Sequence, residues 1–211
     1  MSSSSTRHLS KGAARRQQHI GLLLFEGVEE LDAVGPWDVL AYWTQQYPED
    51  GWSVSCLSAD GREVVAAKGL VIGAHHSVAD APELEVLIHP GGIGTRRLMR
   101  DAAHLQWVRT QRARVPLMAS VCTGSLVYAA AGLLTRRPAT THWASLNLLS
   151  ELDPTVIPDV DARFVDDGDL ITSAGVSAGI DLALHLVARF AGSDRAGAVQ
   201  REIQYDPRTP F

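Results

Sequence analysis

VPLMASVCTGSLVYAAAG, residues 115–132, passes from a short apolar run to a string of good helix formers through Cys122-Thr123-Gly124. This is the pattern of a buried strand that turns sharply into a helix. At such a junction the side chain stands above the strand's carboxyl end. Amide groups of the new helix point at it, and the helix dipole favours negative charge there. Cys122 occupies the junction, so its thiol is expected to ionise more readily than a free cysteine and to serve as a nucleophile. A lone buried cysteine can equally be structural. Position alone leaves both readings open.

Outward from this stretch, the chain alternates between strand-like and helix-like segments. Residues 19–25 (HIGLLLF), 52–57 (WSVSCL) and 84–89 (LEVLIH) read as buried strands without polar alternation. Residues 63–65 and 69–72 read as a small hairpin. A helix is expected from Pro36, with Trp37, Leu40, Ala41 and Trp43 as its apolar stripe, and Asp32 falls in the loop before it. Residues 95–100 and 102–114 read as helices, 137–141 as a short strand, and 142–151 as a helix. A hairpin turns at Asp167-Gly168. Residues 176–192 form a periodic helix closed by Gly192, and a last helix spans 194–204. Strands alternating with helices imply an α/β fold, a mostly parallel sheet covered on both faces. Ligands of such sheets bind beyond the carboxyl ends of the strands. The loops carrying Asp32, Pro90-Gly91-Gly92 and Cys122 should meet there.

The 211 residues suit a single domain, taken as 19–211, after a basic leader at 1–18 that is expected to be disordered. A net charge of -5 argues against a nucleic-acid surface. Two cysteines and no CxxC exclude a disulfide framework and suggest a cytoplasmic protein. No apolar run is long enough to span a bilayer, so no membrane partner is expected. HxxxH and HxxEH spacings are absent, His75-His76 point to opposite sides of a strand, and Gly91–Gly94 is neither a Walker A nor a GxGxxG loop. Neither metal nor cofactor is therefore expected.

A thiolate at Cys122 would need a proton carrier and a place for developing negative charge. Asp32 is the candidate carrier, or else a helix N-cap. Gly91 and Gly92 permit close backbone approach, so the Gly92 and Thr123 amides could face a ligand; they suit a tight turn equally well. His142 could complete a Cys-His pair, or merely cap or pack its helix. Trp37, Ile93, Trp143 and Val176 are candidate pocket walls, and each could also be core or interface.

EELDAVGPWDVL, HPGGIGT, VCTGSLVYAAAGLLTRRPATTHW and ITSAGVSAGIDLALHLVA, in that order, resemble the ThiJ/PfpI superfamily, and within it the isonitrile hydratases. The resemblance covers residues 19–205. It implies a flavodoxin-like three-layer sandwich with a nucleophile elbow, usually a homodimer. By that resemblance Cys122 matches the elbow cysteine and Asp32 the acidic residue that contacts it. Thr123 matches the threonine after the cysteine, and Gly92 the backbone donor opposite the elbow. The implied activity is cysteine-dependent hydration of isonitriles, a small-molecule substrate class, through a covalent thioimidate. Members with peptidase-like activity carry histidine where this chain has Thr123. A glyoxalase-type hydratase of the same superfamily is one alternative. Another is a non-catalytic sensor, related to AraC-type regulators, whose cysteine is oxidised to a sulfinic acid. The stretch after Gly192 is expected to be too short for a helix-turn-helix module.

Overall fold

The structure is a computed structural model that describes residues 17–207. The expected leader lies outside the described residues except at its end, where Gln18 already pairs with Trp52 in the sheet. The strands are β1 (Gln18–Leu23), β2 (Trp52–Ser58), β3 (Val64–Val65), β4 (Val71–Ile72), β5 (His76–Ser77), β6 (Val86–His89), β7 (Leu117–Val121), β8 (Pro138–Ala139), β9 (Ile157–Pro158), β10 (Phe164–Asp166) and β11 (Leu170–Ser173). The helices are α1 (Glu30–Gln46), α2 (Thr95–Leu98), α3 (Ala102–Arg112), α4 (Gly124–Ala130), α5 (Leu146–Leu152), α6 (Ala178–Ala191) and α7 (Ser193–Glu202).

Seven strands form one sheet in the order β10-β11-β7-β6-β1-β2-β5. Neighbours run parallel except β10 and β11, which form the hairpin expected around Asp167-Gly168. The expected small hairpin is β3 with β4. Helices flank the sheet, with α1, α6 and α7 packed on one another and α4 packed against α2, α3 and α5. The result is a flavodoxin-like three-layer α/β sandwich. Every residue of β6 and β7 is buried, because a strand covered on both faces has no solvent side to alternate toward. Leu22, Ile88 and Met118 are fully buried. Each such side chain contributes roughly 1.5–3 kcal/mol relative to exposure. Among the described residues no helix is long and apolar enough to cross a membrane.

The topology places the site. From β1 the chain goes to β2 on one side and later returns to β6 on the other. The order of strands reverses at β1, and crevices form at such a switch point. The segments leaving β1, β6 and β7 carry Asp32, Gly91-Gly92 and Cys122.

Several elements differ from expectation in their bounds, three of them near the site. Helix α1 starts at Glu30, so Asp32 lies in its first turn and Pro36 inside the helix. A proline there removes the amide that would bond the Asp32 carbonyl. Tertiary packing outweighs that loss: Gly35 and Pro36 are buried, and they face Ile180 and Gly179 of α6. The expected helix at 142–151 divides into a 3₁₀ turn, Trp143–Ser145, followed by α5. The helix after Thr95 ends at Leu98, short of Arg100.

Gly124 opens α4 directly over the end of β6. A Cβ added there would fall 2.2 Å from the His89 carbonyl oxygen and 2.8 Å from that of Pro90. Backbone cannot yield as a flexible side chain would. Gly124→Ala is therefore expected to lower stability by about 3 kcal/mol or more, read as a fall in the urea unfolding midpoint. An unchanged midpoint would show that the elbow accommodates a methyl group.

Candidate active site

Cys122 follows the last residue of β7 with φ +55°, a left-handed conformation uncommon for a residue bearing a Cβ. Fixed groups hold it there. Its amide donates to the Ser173 and Ala174 carbonyls, each at 3.1 Å. Its carbonyl accepts from the Thr141 hydroxyl at 2.9 Å and the Ser125 hydroxyl at 3.1 Å. The backbone amides of Thr123 and Val176 hydrogen-bond the sulfur. Val176 is itself at φ +51°. Two strained residues thus meet at one sulfur, which is where strain is commonly stored.

Asp32 is fully buried. Its Oδ2 accepts the Gly91 amide at 2.9 Å. Oδ1 has no hydrogen-bond partner among the described residues, and the Cys122 thiol lies close enough to pull on the carboxyl's charge. Asp32 does not cap its helix; the N-cap position belongs to Glu29, whose side chain makes no capping bond. Gly91 is required by crowding. A Cβ there would lie 2.5 Å from the Thr123 nitrogen, 2.7 Å from its hydroxyl and 2.8 Å from Asp32 Oδ2.

The thiol's acidity runs opposite to expectation. Burial, reinforced by the Asp32 carboxylate, pushes Cys122 up to about 12, against the opposing pull of the two amides. Desolvation exceeds the helix-terminus effect because the sulfur is buried beside an acid. Burial raises Asp32 to about 7, partly offset by the Gly91 amide and the thiol. The two groups titrate as a unit. Across the range between those values they share one proton, as carboxylate with thiol or as carboxylic acid with thiolate.

The Gly92 amide, expected to face the ligand, donates instead to Thr123 Oγ1 at 3.0 Å. Thr95, which sequence reasoning missed, is fully buried. Its hydroxyl bonds the Gly92 carbonyl at 2.7 Å and lies 3.1 Å from Thr123 Oγ1. Both glycine amides are therefore committed to holding Asp32 and Thr123 in place.

A cavity of about 310 Å³ opens over the sulfur. Cys122, Thr123, Gly92, Ile93 and Val176 line it, as does His142. Glu29, Arg96 and Ser145 also line it, and sequence reasoning missed all three. Among the described residues no hydrogen bond joins His142 to the thiol; its Nδ1 accepts from the Ala144 amide at 3.2 Å. Gly175 lets the ring lie against backbone, where a Cβ would meet His142 Cδ2 at 2.3 Å. Two expected pocket walls lie elsewhere. Trp143 is 77% exposed. Trp37 packs on His75, with ring centroids 4.9 Å apart, and lines a separate apolar cavity with Cys56. An aromatic stripe in sequence does not indicate which end of a helix reaches the crevice. Among the described residues no group of three His, Cys, Asp or Glu side chains is placed to hold a metal ion.

The chain as a whole is similar to known proteins. The chain is 42% identical to isonitrile hydratase from Pseudomonas putida over 192 residues, covering 91% of this chain and 80% of that one. It is 30% identical to the HTH-type transcriptional regulator GbdR from Pseudomonas aeruginosa, but spans only 52% of that regulator's length. A crystal structure of a ThiJ/PfpI family protein from Pseudomonas syringae superposes with a TM-score of 0.81 at 33% identity, over 92% of this chain and 78% of that one. The DJ-1/PfpI family profile matches residues 18–189, from the first strand to the end of the helix beside Val176. A profile match over most of the described chain, together with 42% identity to a relative across 91% of this chain, makes this protein a member of the DJ-1/PfpI family.

Proposed function

We propose that the protein hydrates isonitriles, R–N≡C, to N-substituted formamides, with Cys122 as nucleophile and Asp32 as proton carrier. The observation that carries this reading is the buried Asp32–Cys122 pair at the floor of a small cavity. Its likeness to isonitrile hydratase supports the choice of substrate.

The terminal carbon of an isonitrile accepts a soft nucleophile. In the acid–thiolate form of the pair, sulfur adds to that carbon while Asp32 gives it a proton. The product is a thioimidate, R–N=CH–S–Cys122, and Asp32 is left ionised. Water then adds to the same carbon, and the proton it gives up passes through Asp32 to the nitrogen; on collapse the hydroxyl proton returns to Asp32. Collapse of the tetrahedral R–NH–CH(OH)–S–Cys122 expels the thiolate and yields R–NH–CHO. One hard addition is thereby split into two easier ones. The Gly91 amide holds the carboxyl throughout, and Thr123 steadies the loop opposite. Neither step changes oxidation state beyond the hydration itself.

The assay is direct. Purified protein with an alkyl isonitrile is expected to produce the formyl proton of the formamide, followed by nuclear magnetic resonance. Lactate from methylglyoxal, with no formamide from isonitrile, would move the assignment to a glyoxalase-type reaction. The GbdR match favours one further reading, a ligand-sensing module, for which neither product forms.

The pair also fixes the pH dependence. Below about 7 it holds both protons and the thiol is inert; above, one proton has left and the acid–thiolate form is accessible. kcat/KM is expected to rise about tenfold per pH unit below 7 and to level off above it. A profile flat from pH 5 to 9 would remove the shared proton from the mechanism.

A further inference from the structure

Arg96 lines the Cys122 cavity one residue beyond Thr95, and it has no assigned work. Its Nη2 donates to Ser145 Oγ at 3.3 Å. Its Nη1 is buried and has no hydrogen-bond partner among the described residues. No described carboxylate lies within 4.0 Å of it, unlike the guanidinium groups of Arg163 and Arg195, which pair with acids. The carboxylate that shares its cavity, Glu29, is bound to Lys68. A cationic donor kept out of water without an acceptor is costly, and a native structure retains one only for a reason.

We infer that Arg96 is the anchor for a carboxylate on the substrate. The guanidinium fork matches a carboxylate geometrically, and the Ser145 hydroxyl stands beside it as a further donor. The reactive end of the same molecule is set by charge. The Asp32–Cys122 pair is anionic once its first proton is lost, so it repels a carboxylate and leaves that group to Arg96. The uncharged isonitrile carbon is then the end presented to sulfur. The natural substrates are accordingly isonitriles bearing a carboxylate, of the kind that would derive from an amino acid, and Arg96 is a specificity-determining residue. The reacting end of this inference rests on the hydratase reading; the anion contact does not.

Isocyanoacetate and its methyl ester carry the same isonitrile and differ by one charge. Calorimetry with Cys122→Ala protein, which cannot form the adduct, separates binding from chemistry. The acid is expected to bind about tenfold or more tightly than the ester. With Arg96→Gln added, the two should agree within threefold, and Arg96→Lys should restore part of the difference. In protein with Cys122 intact, Arg96→Gln should raise KM for the acid about tenfold and leave kcat and the ester's KM within threefold. Equal binding of acid and ester to Cys122→Ala protein overturns the inference, whatever the turnover. So does an equal loss for both ligands on Arg96→Gln, which would make the arginine structural. Preferential binding of the acid without any formamide from intact protein would sink the hydratase reading and leave the anion site standing.

Discussion

Cys122→Ala is expected to cut formamide production by at least about a thousandfold while leaving the fold intact. Among the described residues that line the cavity, Cys122 supplies the one thiol, the soft nucleophile that an isonitrile carbon accepts. Cys56 is buried in a different cavity, where desolvation alone pushes its thiol up to about 12. Alanine at position 122 bears the same left-handed strain as cysteine, so the change removes one buried atom and costs about 1 kcal/mol of stability. Circular dichroism and the thermal midpoint should therefore move little. Cys122→Ser supplies the shape control: a hydroxyl fits the site, but it does not ionise near neutrality, and turnover should fall almost as far. A second readout looks for the adduct itself. Acid quenching during turnover should show intact protein heavier by the mass of the isonitrile, and Cys122→Ala should never show it. Turnover within tenfold of the parent would mean that Asp32 directs water at the isonitrile without a covalent stage.

Much of this arrangement could be read from residue order. The elbow at Cys122 was legible because an apolar run meets a helix former at a glycine, and Gly124 proves to be forced by the His89 carbonyl. The convergence of Asp32, Gly91 and Cys122 followed from the rule that ligands gather at strand ends. The thiol's acidity was not legible. Position predicts a lowered value, whereas burial and an adjacent acid raise it, and burial is a property of the packed chain. The placement of Asp32 within α1 was hidden by Pro36, since propensity starts a helix at a proline and packing against α6 carries it further back. Arg96 passed unnoticed in TRRLM, where two adjacent arginines look like a solvated helix face. Only the fold shows that Arg97 is exposed while Arg96 reaches the cavity.

Asp32→Asn is expected to give a more stable protein with a more reactive sulfur and almost no hydratase activity. Stability follows from proton linkage. An unfolded aspartate releases its proton near 3.8, whereas the folded one holds it to about 7. Between those values folding takes up a proton, so the native state loses stability as pH rises. The penalty reaches up to about 4 kcal/mol above pH 7 and vanishes below 3.8. Asparagine cannot ionise, and its carbonyl still accepts the Gly91 amide. Its added amide donors reduce the gain to about 1–3 kcal/mol at pH 8. The thermal midpoint should therefore rise at pH 8 and stay near that of the parent at pH 3.5. Sulfur responds in the opposite sense to catalysis. The Asp32 carboxylate helps hold the thiol protonated, so its removal should speed alkylation of Cys122 by iodoacetamide at pH 8. Hydration should nonetheless fall by about 10²–10⁴-fold, the ordinary contribution of a positioned acid and base, because neither the carbon nor the attacking water has a proton partner. A faster-alkylating, more stable, inactive variant separates proton transfer from nucleophilicity within one pair. Retained hydration, or a thiol slower to alkylate, would show that Asp32 shapes the pocket without carrying the proton.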